Sequence, residues 1–117
     1  MVLAYLGLGS SDGDRKANLR KAVVLLNQVN KIEAKAISSL YEGEAIGVAA
    51  QGDFVNAVVK IETQLEPKTL LEKIKAIEVK MGRKPSTHNL PRPIDIDILL
   101  YGDIIFESFD LNIPHTR

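Results

Sequence analysis

The stretch Leu90–Tyr101, LPRPIDIDILLY, decides the reading of this chain. From Ile94 onward apolar and polar residues alternate, as they do when successive strand side chains face opposite sides. Ile94, Ile96, Ile98 and Leu100 are expected on one face, and Asp95, Asp97, Leu99 and Tyr101 on the other. At about 3.3 Å rise per residue the two aspartates leave the backbone ~6.6 Å apart, within reach of the same hard cations. Arg92 stands just upstream between Pro91 and Pro93, which stiffen the approach to the strand. Carboxylates for a metal and a guanidinium for phosphate are the parts of a phosphoryl-transfer site. A wet antiparallel face would also read apolar in and polar out. Two like charges at i and i+2 on a poor strand former argue for the metal.

Working outward, 117 residues suit a single domain, 1–117, with one core. Charged residues make up 26% and apolar ones 45%, an ordinary globular balance. Fifteen basic and fifteen acidic side chains cancel, which argues against nucleic acid or an anionic membrane as a partner while permitting a local basic site. With no cysteine there is no disulfide, thiolate metal site or cysteine nucleophile. The N-terminal MVLAYLGLGS lacks a basic n-region, and its apolar run is too short to span a bilayer. A cytoplasmic protein with small-molecule substrates, monomeric or homodimeric, is the expectation.

Upstream, Val2–Leu8 reads as a buried first strand, interrupted at Gly7 and stopped at Gly9-Ser10-Ser11. A helix from about Asp14 to Asn30 follows, with Leu19, Ala22, Val23, Leu26 and Val29 at helical spacing. Lys31–Tyr41 alternates as a second strand, Glu42–Asp53 is a glycine-rich loop, and Phe54–Thr63 is a third strand. Glu66-Pro67 opens a second helix with Leu70, Leu71, Ile74, Ile77 and Met81 as its stripe, and Gly82 stops it. Arg83–Pro91 is an irregular loop, and a hairpin over Asp103–Ile113, turning near Glu107-Ser108, follows the aspartate strand. The predicted fold is α+β: a ferredoxin-like βαββαβ core, an antiparallel sheet with both helices on one face, plus the C-terminal β-hairpin.

Other motifs are less specific. Gly7–Ser11 between strand and helix lacks the third glycine of a dinucleotide fingerprint and the Lys-Ser/Thr of a P-loop, so a tight turn is the better reading. Arg83 and Lys84 follow a helix C-terminus, where cations are favoured anyway. His88 and His115 lie in or after loops, where solvated histidines are common. Phe54 and Asn56 point the same way at the mouth of the long loop; this suits stacking on a planar heterocycle and bonding its edge, with core packing the alternative for Phe54.

Taken together, AYLGLGSS, the glycine-rich loop leading to DFVNAVVKIET, IEVKMGR, and PRPIDIDILLYGD with NIPH downstream resemble the 6-hydroxymethyl-7,8-dihydropterin pyrophosphokinases of folate biosynthesis over essentially the whole chain. The resemblance implies transfer of pyrophosphate from ATP to the hydroxymethyl oxygen of the pterin, with release of AMP. It further implies that Asp95 and Asp97 hold two Mg²⁺ ions, with Asp95 also on the pterin side. Arg83 and Arg92 would hold the phosphates, and His115, Ile98 and Glu78 would lie at the nucleotide. Phe54 would stack on the pterin, Asn56 would read its edge, and Gly43 and Ile46 would belong to the pterin loop. Gly43-Glu44 replaces the family's common Thr-Pro, and the Arg83–Pro91 loop lacks the tryptophan often found there. Family members usually continue beyond the PH motif with a second aromatic and a further arginine. An alternative is therefore a non-catalytic ferredoxin-like module that binds nucleotide or pterin without that segment. An RNA-recognition module of the same topology is disfavoured, because only Tyr5 and Phe54 would serve as exposed strand aromatics.

Overall fold

The structure is a computed structural model. It describes residues 1–44, 53–82, 92–103, 106–107 and 112–113, of which 41, 43, 44, 53, 106, 107, 112 and 113 are described in backbone alone. Strand β1 spans Val2–Ser10, helix α1 Arg15–Gln28, β2 Ile32–Ile37, β3 Tyr41–Glu44 and β4 Asp53–Thr63. Helix α2 then spans Pro67–Lys80 and β5 Asp95–Tyr101; two short strands, β6 (Phe106–Glu107) and β7 (Asn112–Ile113), pair antiparallel. The main sheet has the order β2-β4-β1-β5, with β3 also paired to β4, and every pairing is antiparallel. This is the α+β, ferredoxin-like arrangement expected from the sequence.

One face of the sheet carries Ala4, Leu6, Leu8, Val55, Ala57, Val59, Ile61, Ile96 and Ile98, and both helices cover it. Leu19, Ala22 and Leu26 of α1 and Leu70, Ile74 and Ile77 of α2 complete the buried cluster. Truncating any of these leucines or isoleucines to alanine would cost about 2–5 kcal/mol through lost transfer energy and a residual cavity. Asp14 caps α1, its Oδ1 accepting from the Ala17 N–H at 3.2 Å. Helix α2 starts at Pro67, where a missing N–H is harmless, and ends ahead of Gly82 at φ +96°, a left-handed position that glycine occupies without strain. Thr63 ties the end of β4 to the start of β2 and to its own exit toward α2: its Oγ1 donates to the Lys31 carbonyl at 2.8 Å and accepts from the Leu65 N–H at 3.0 Å.

The structure corrects three sequence expectations. Gly7–Ser11 is not a tight turn: β1 runs on through Ser10, pairing Gly9 with Asn56 and Ser10 with Val55, and the chain turns only at Gly13, φ +71°. Lys31–Tyr41 is not one continuous strand: β2 ends at Ile37 along the second half of β4, and β3 begins only at Tyr41 along its first, so Glu42–Glu44 belongs to the sheet rather than to a loop. In β5, finally, Leu100 and Tyr101 exchange the faces expected of them. The register against β1 steps from Leu6–Ile98 to Tyr5–Leu100, leaving Leu99 as an extra residue, a β-bulge that reverses the alternation. Tyr101 is consequently buried in the core, its hydroxyl donating to the Leu65 carbonyl, while Leu100 is 45% exposed. Burial raises the Tyr101 pKa above its ordinary value, and the charge of Glu66 adds to the effect. The expected hairpin turn lies outside the described residues.

Candidate functional site

The face of the sheet away from the helices is built by three strands. Position parity puts Phe54, Asn56 and Val58 of β4, Gly7 and Gly9 of β1, and Asp95 and Asp97 of β5 on this face, opposite the buried Val55, Ala57, Leu6, Leu8 and Ile96. The register aligns them in rows. Asn56, Gly9 and Asp95 form one row, and Val58, Gly7 and Asp97 the next. With strands about 4.8 Å apart, the amide and the first carboxylate stand roughly 10 Å from each other across a glycine.

A glycine stands at the middle of each row, Gly9 in the first and Gly7 in the second. A Cβ on Gly9 would lie 2.9 Å from Phe54 Cδ2 and 3.2 Å from Asn56 Oδ1, so the ring and the amide lie over the bare β1 backbone. A Cβ on Gly7 would meet Leu99 Cδ2 at 3.3 Å, because the bulged leucine leans across that position. Sequence reasoning took these glycines for punctuation. Their i, i+2 spacing inside a β pattern was the available signal, since a strand glycine often marks close approach of another group.

Phe54 is 3% exposed, as its core-packing alternative expects, but it is not part of the hydrophobic cluster beneath the helices. The Cδ2–Cε2 edge of its ring lies against Gly9, and the guanidinium carbon of Arg92 stands 5.5 Å from its centroid, a cation–π distance. Arg92 itself is only 4% exposed. Its backbone is locked to the end of β1: the Ser11 N–H donates to the Arg92 carbonyl at 3.0 Å, and the Arg92 N–H donates to Ser11 Oγ at 3.1 Å. Ser11 is a second residue that motif reading missed. Its partner lies 81 residues away, and only the β1–β5 pairing reveals it.

Asp95 and Asp97 are half-buried and share the open face, as the alternation predicts. Ile98, between the bulge and Asp97, is buried in the core instead. Gly43 pairs with Phe54 across β3 and β4, which puts its backbone beside the aromatic. Glu78 lies on α2, 2% exposed, and its Oε2 accepts the Ile96 N–H at 2.9 Å while Oε1 accepts from Lys75 Nζ at 3.2 Å. Arg83, Lys84, His88, Ile46 and His115 lie outside the described residues. The structure thus brings Phe54 and Asn56 of β4 together with Arg92, Asp95 and Asp97 of the segment that enters β5, on either side of Gly7 and Gly9 of β1. Chemically, it offers an aromatic face, an amide edge, a guanidinium and a carboxylate pair around a glycine floor.

Among the described residues no helix is long and apolar enough to cross a membrane. The family model of 7,8-dihydro-6-hydroxymethylpterin-pyrophosphokinase (HPPK) matches residues 5–117. The chain is similar to 2-amino-4-hydroxy-6-hydroxymethyldihydropteridine pyrophosphokinase of Aquifex aeolicus, 46% identical over 98% of this chain and 71% of the relative. Its similarity to the Bacillus subtilis protein of the same name is 41% over 98% of this chain and 69% of the relative. It also matches the mitochondrial folate synthesis bifunctional protein of Pisum sativum, 40% identical over 96% of this chain but 22% of that longer protein.

Proposed function

The chain belongs to the 7,8-dihydro-6-hydroxymethylpterin-pyrophosphokinase family, and from that premise we propose how its own residues carry the reaction. The reaction moves pyrophosphate from ATP to 6-hydroxymethyl-7,8-dihydropterin in folate synthesis. The pterin's hydroxymethyl oxygen attacks the β-phosphorus of ATP, the bond from the α-phosphate's bridging oxygen to the β-phosphorus breaks, and AMP departs.

The observation that carries the assignment is the row Asn56–Gly9–Asp95 beside Phe54 and Arg92. Phe54 supplies a stacking face for the flat pterin ring, with Gly43 of β3 beside it and Ile46 three residues further along the chain, and Asn56 supplies a donor and an acceptor for its edge. Asp95 and Asp97 suit Mg²⁺, because this ion is held by one or two carboxylates and takes its remaining ligands from phosphate oxygens and water. That two-carboxylate set fits the described residues, among which no group of three or more metal-ligating side chains occurs. When bound, two such ions would neutralise phosphate oxygens and favour in-line displacement. Arg92, joined by Arg83, holds phosphate oxygens by charge-assisted hydrogen bonds, and His115 belongs to the nucleotide side. Positioning and electrostatics do most of the work in such transfers, so no strong general base is required. The carboxylate pair favours this reading over a module that binds without a metal, because two like charges on one strand face repel unless a cation sits between them.

The test is AMP formation from ATP and Mg²⁺, with and without the hydroxymethyl-dihydropterin, for the chain and its Asp95→Ala variant. Pterin-dependent AMP that disappears in the variant is the expected result. Undiminished AMP formation by a folded Asp95→Ala protein would overturn the assignment.

A further inference from the structure

Strand β5 lies at the end of the ordered path β2-β4-β1-β5 and, among the described residues, pairs with β1 alone in that sheet. An edge strand has backbone groups that no ladder uses. Ile96 is the residue between the two carboxylates, and its N–H donates to Glu78 Oε2, 2.9 Å away on α2. Glu78 falls four residues after Ile74, on the buried side of the helix. A carboxylate buried there is expensive unless its hydrogen bonds are worth having. Lys75, one turn earlier, supplies a second hydrogen bond and an opposite charge at 3.2 Å. The Ile96 side chain is itself fully buried against the core, so this residue is held by its side chain within the core and by its amide from the helix.

We propose that Glu78 is the positioning residue for the metal-holding pair. By pinning the backbone at Ile96 it fixes the spacing and direction of Asp95 and Asp97, which leave the strand on either side of that amide. This rests on the reading of Asp95 and Asp97 as metal ligands. It assigns Glu78 a role different from contact with the nucleotide, because the carboxylate acts through the strand rather than on ATP.

Three variants and three readouts test it. Glu78→Met fills the same volume and keeps helix propensity but has no strong acceptor for the Ile96 N–H; Glu78→Gln keeps an acceptor oxygen; Asp95→Ala removes a ligand. The readouts are Mn²⁺ binding in the presence of α,β-methylene-ATP, hydrogen exchange at the Ile96 amide, and KM for ATP and pterin. Glu78→Met should weaken Mn²⁺ binding about tenfold, a typical effect of losing support behind a ligand. It should also speed exchange at Ile96 and leave the pterin KM near that of the parent, while Glu78→Gln stays close to the parent in all three. Mn²⁺ binding unchanged in Glu78→Met but abolished in Asp95→Ala would overturn the positioning role and leave the metal reading standing. Mn²⁺ binding unchanged in Asp95→Ala would overturn the metal reading itself. Should Glu78→Met not fold, Glu78→Gln decides alone: retained Mn²⁺ affinity supports the acceptor role, and a tenfold loss overturns it in favour of the charge.

Discussion

Replacing Gly9 by alanine tests the site geometry most directly. The added methyl would sit 2.9 Å from Phe54 Cδ2 and 3.2 Å from Asn56 Oδ1. Carbon atoms prefer about 3.5–4.0 Å, so the ring must retreat by roughly 0.6–1.1 Å. It has little freedom to do so, because Phe54 is 3% exposed and carries Arg92 above it. Overpacking of this kind costs about 1–3 kcal/mol. If most of it falls on the stacking site, the KM for pterin rises about 5- to 100-fold, at roughly 1.4 kcal/mol per decade. The assay is steady-state AMP release with each substrate varied in turn, alongside thermal unfolding. Pterin KM should rise while ATP KM moves by less than about threefold, since a change confined to one substrate's binding leaves the other's largely intact. A pterin KM equal to the parent's in a folded Gly9→Ala protein, or an equal loss for both substrates, would refute the idea that the bare glycine sets the depth of the pterin site.

Asp97→Ala should reduce turnover by at least about 10²-fold while leaving the circular dichroism spectrum unchanged, in line with loss of a charge-stabilising group; turnover within a few fold of the parent would contradict it. Thr63→Val removes the acceptor for the Leu65 N–H and the donor to the Lys31 carbonyl in a fully buried position, so unfolding free energy in urea should fall by about 1–3 kcal/mol with little change in substrate KM. Tyr101 has its pKa raised above 10.0 by burial and by Glu66. Its neutral form is the one that folding favours, so its contribution is complete below the unfolded value and is lost as pH rises through the folded one. Thermal stability should therefore decline above about pH 10, and Tyr101→Phe should flatten that alkaline limb; an identical pH profile in the variant would show that another group dominates.

The order of elements was legible because it depends on local periodicity. Leu19, Ala22 and Leu26 recur at helical spacing, Asp95 and Asp97 alternate with isoleucines, and Pro67 and Gly82 bound their helix through backbone preferences that act within a turn. From those elements the antiparallel sheet with both helices on one face followed. The carboxylate pair was legible for the same reason, since two residues on one strand share a face whatever they pack against.

What the chain brings together across distance was not. Pairing between β1 and β5 sets Ser11 against Arg92 and Gly9 against Asp95, and no local pattern encodes a partner some eighty residues away. The bulge at Leu99 exchanges the faces of Leu100 and Tyr101 because the two strands advance unequally, a property of the pair and of neither strand alone. Gly7 and Gly9 look like turn residues by type, but neighbours on both sides hold them extended and make use of the missing side chains. Glu78 is legible only as a charge on an apolar helix face until α2 is laid against the edge of β5, where its carboxylate meets the Ile96 amide. Sequence alone determined the order of the helices and of most strands, and the carboxylate pair on one strand face, because those properties are local. Tertiary structure decided which of them meet, because register and packing are relations between segments distant along the chain.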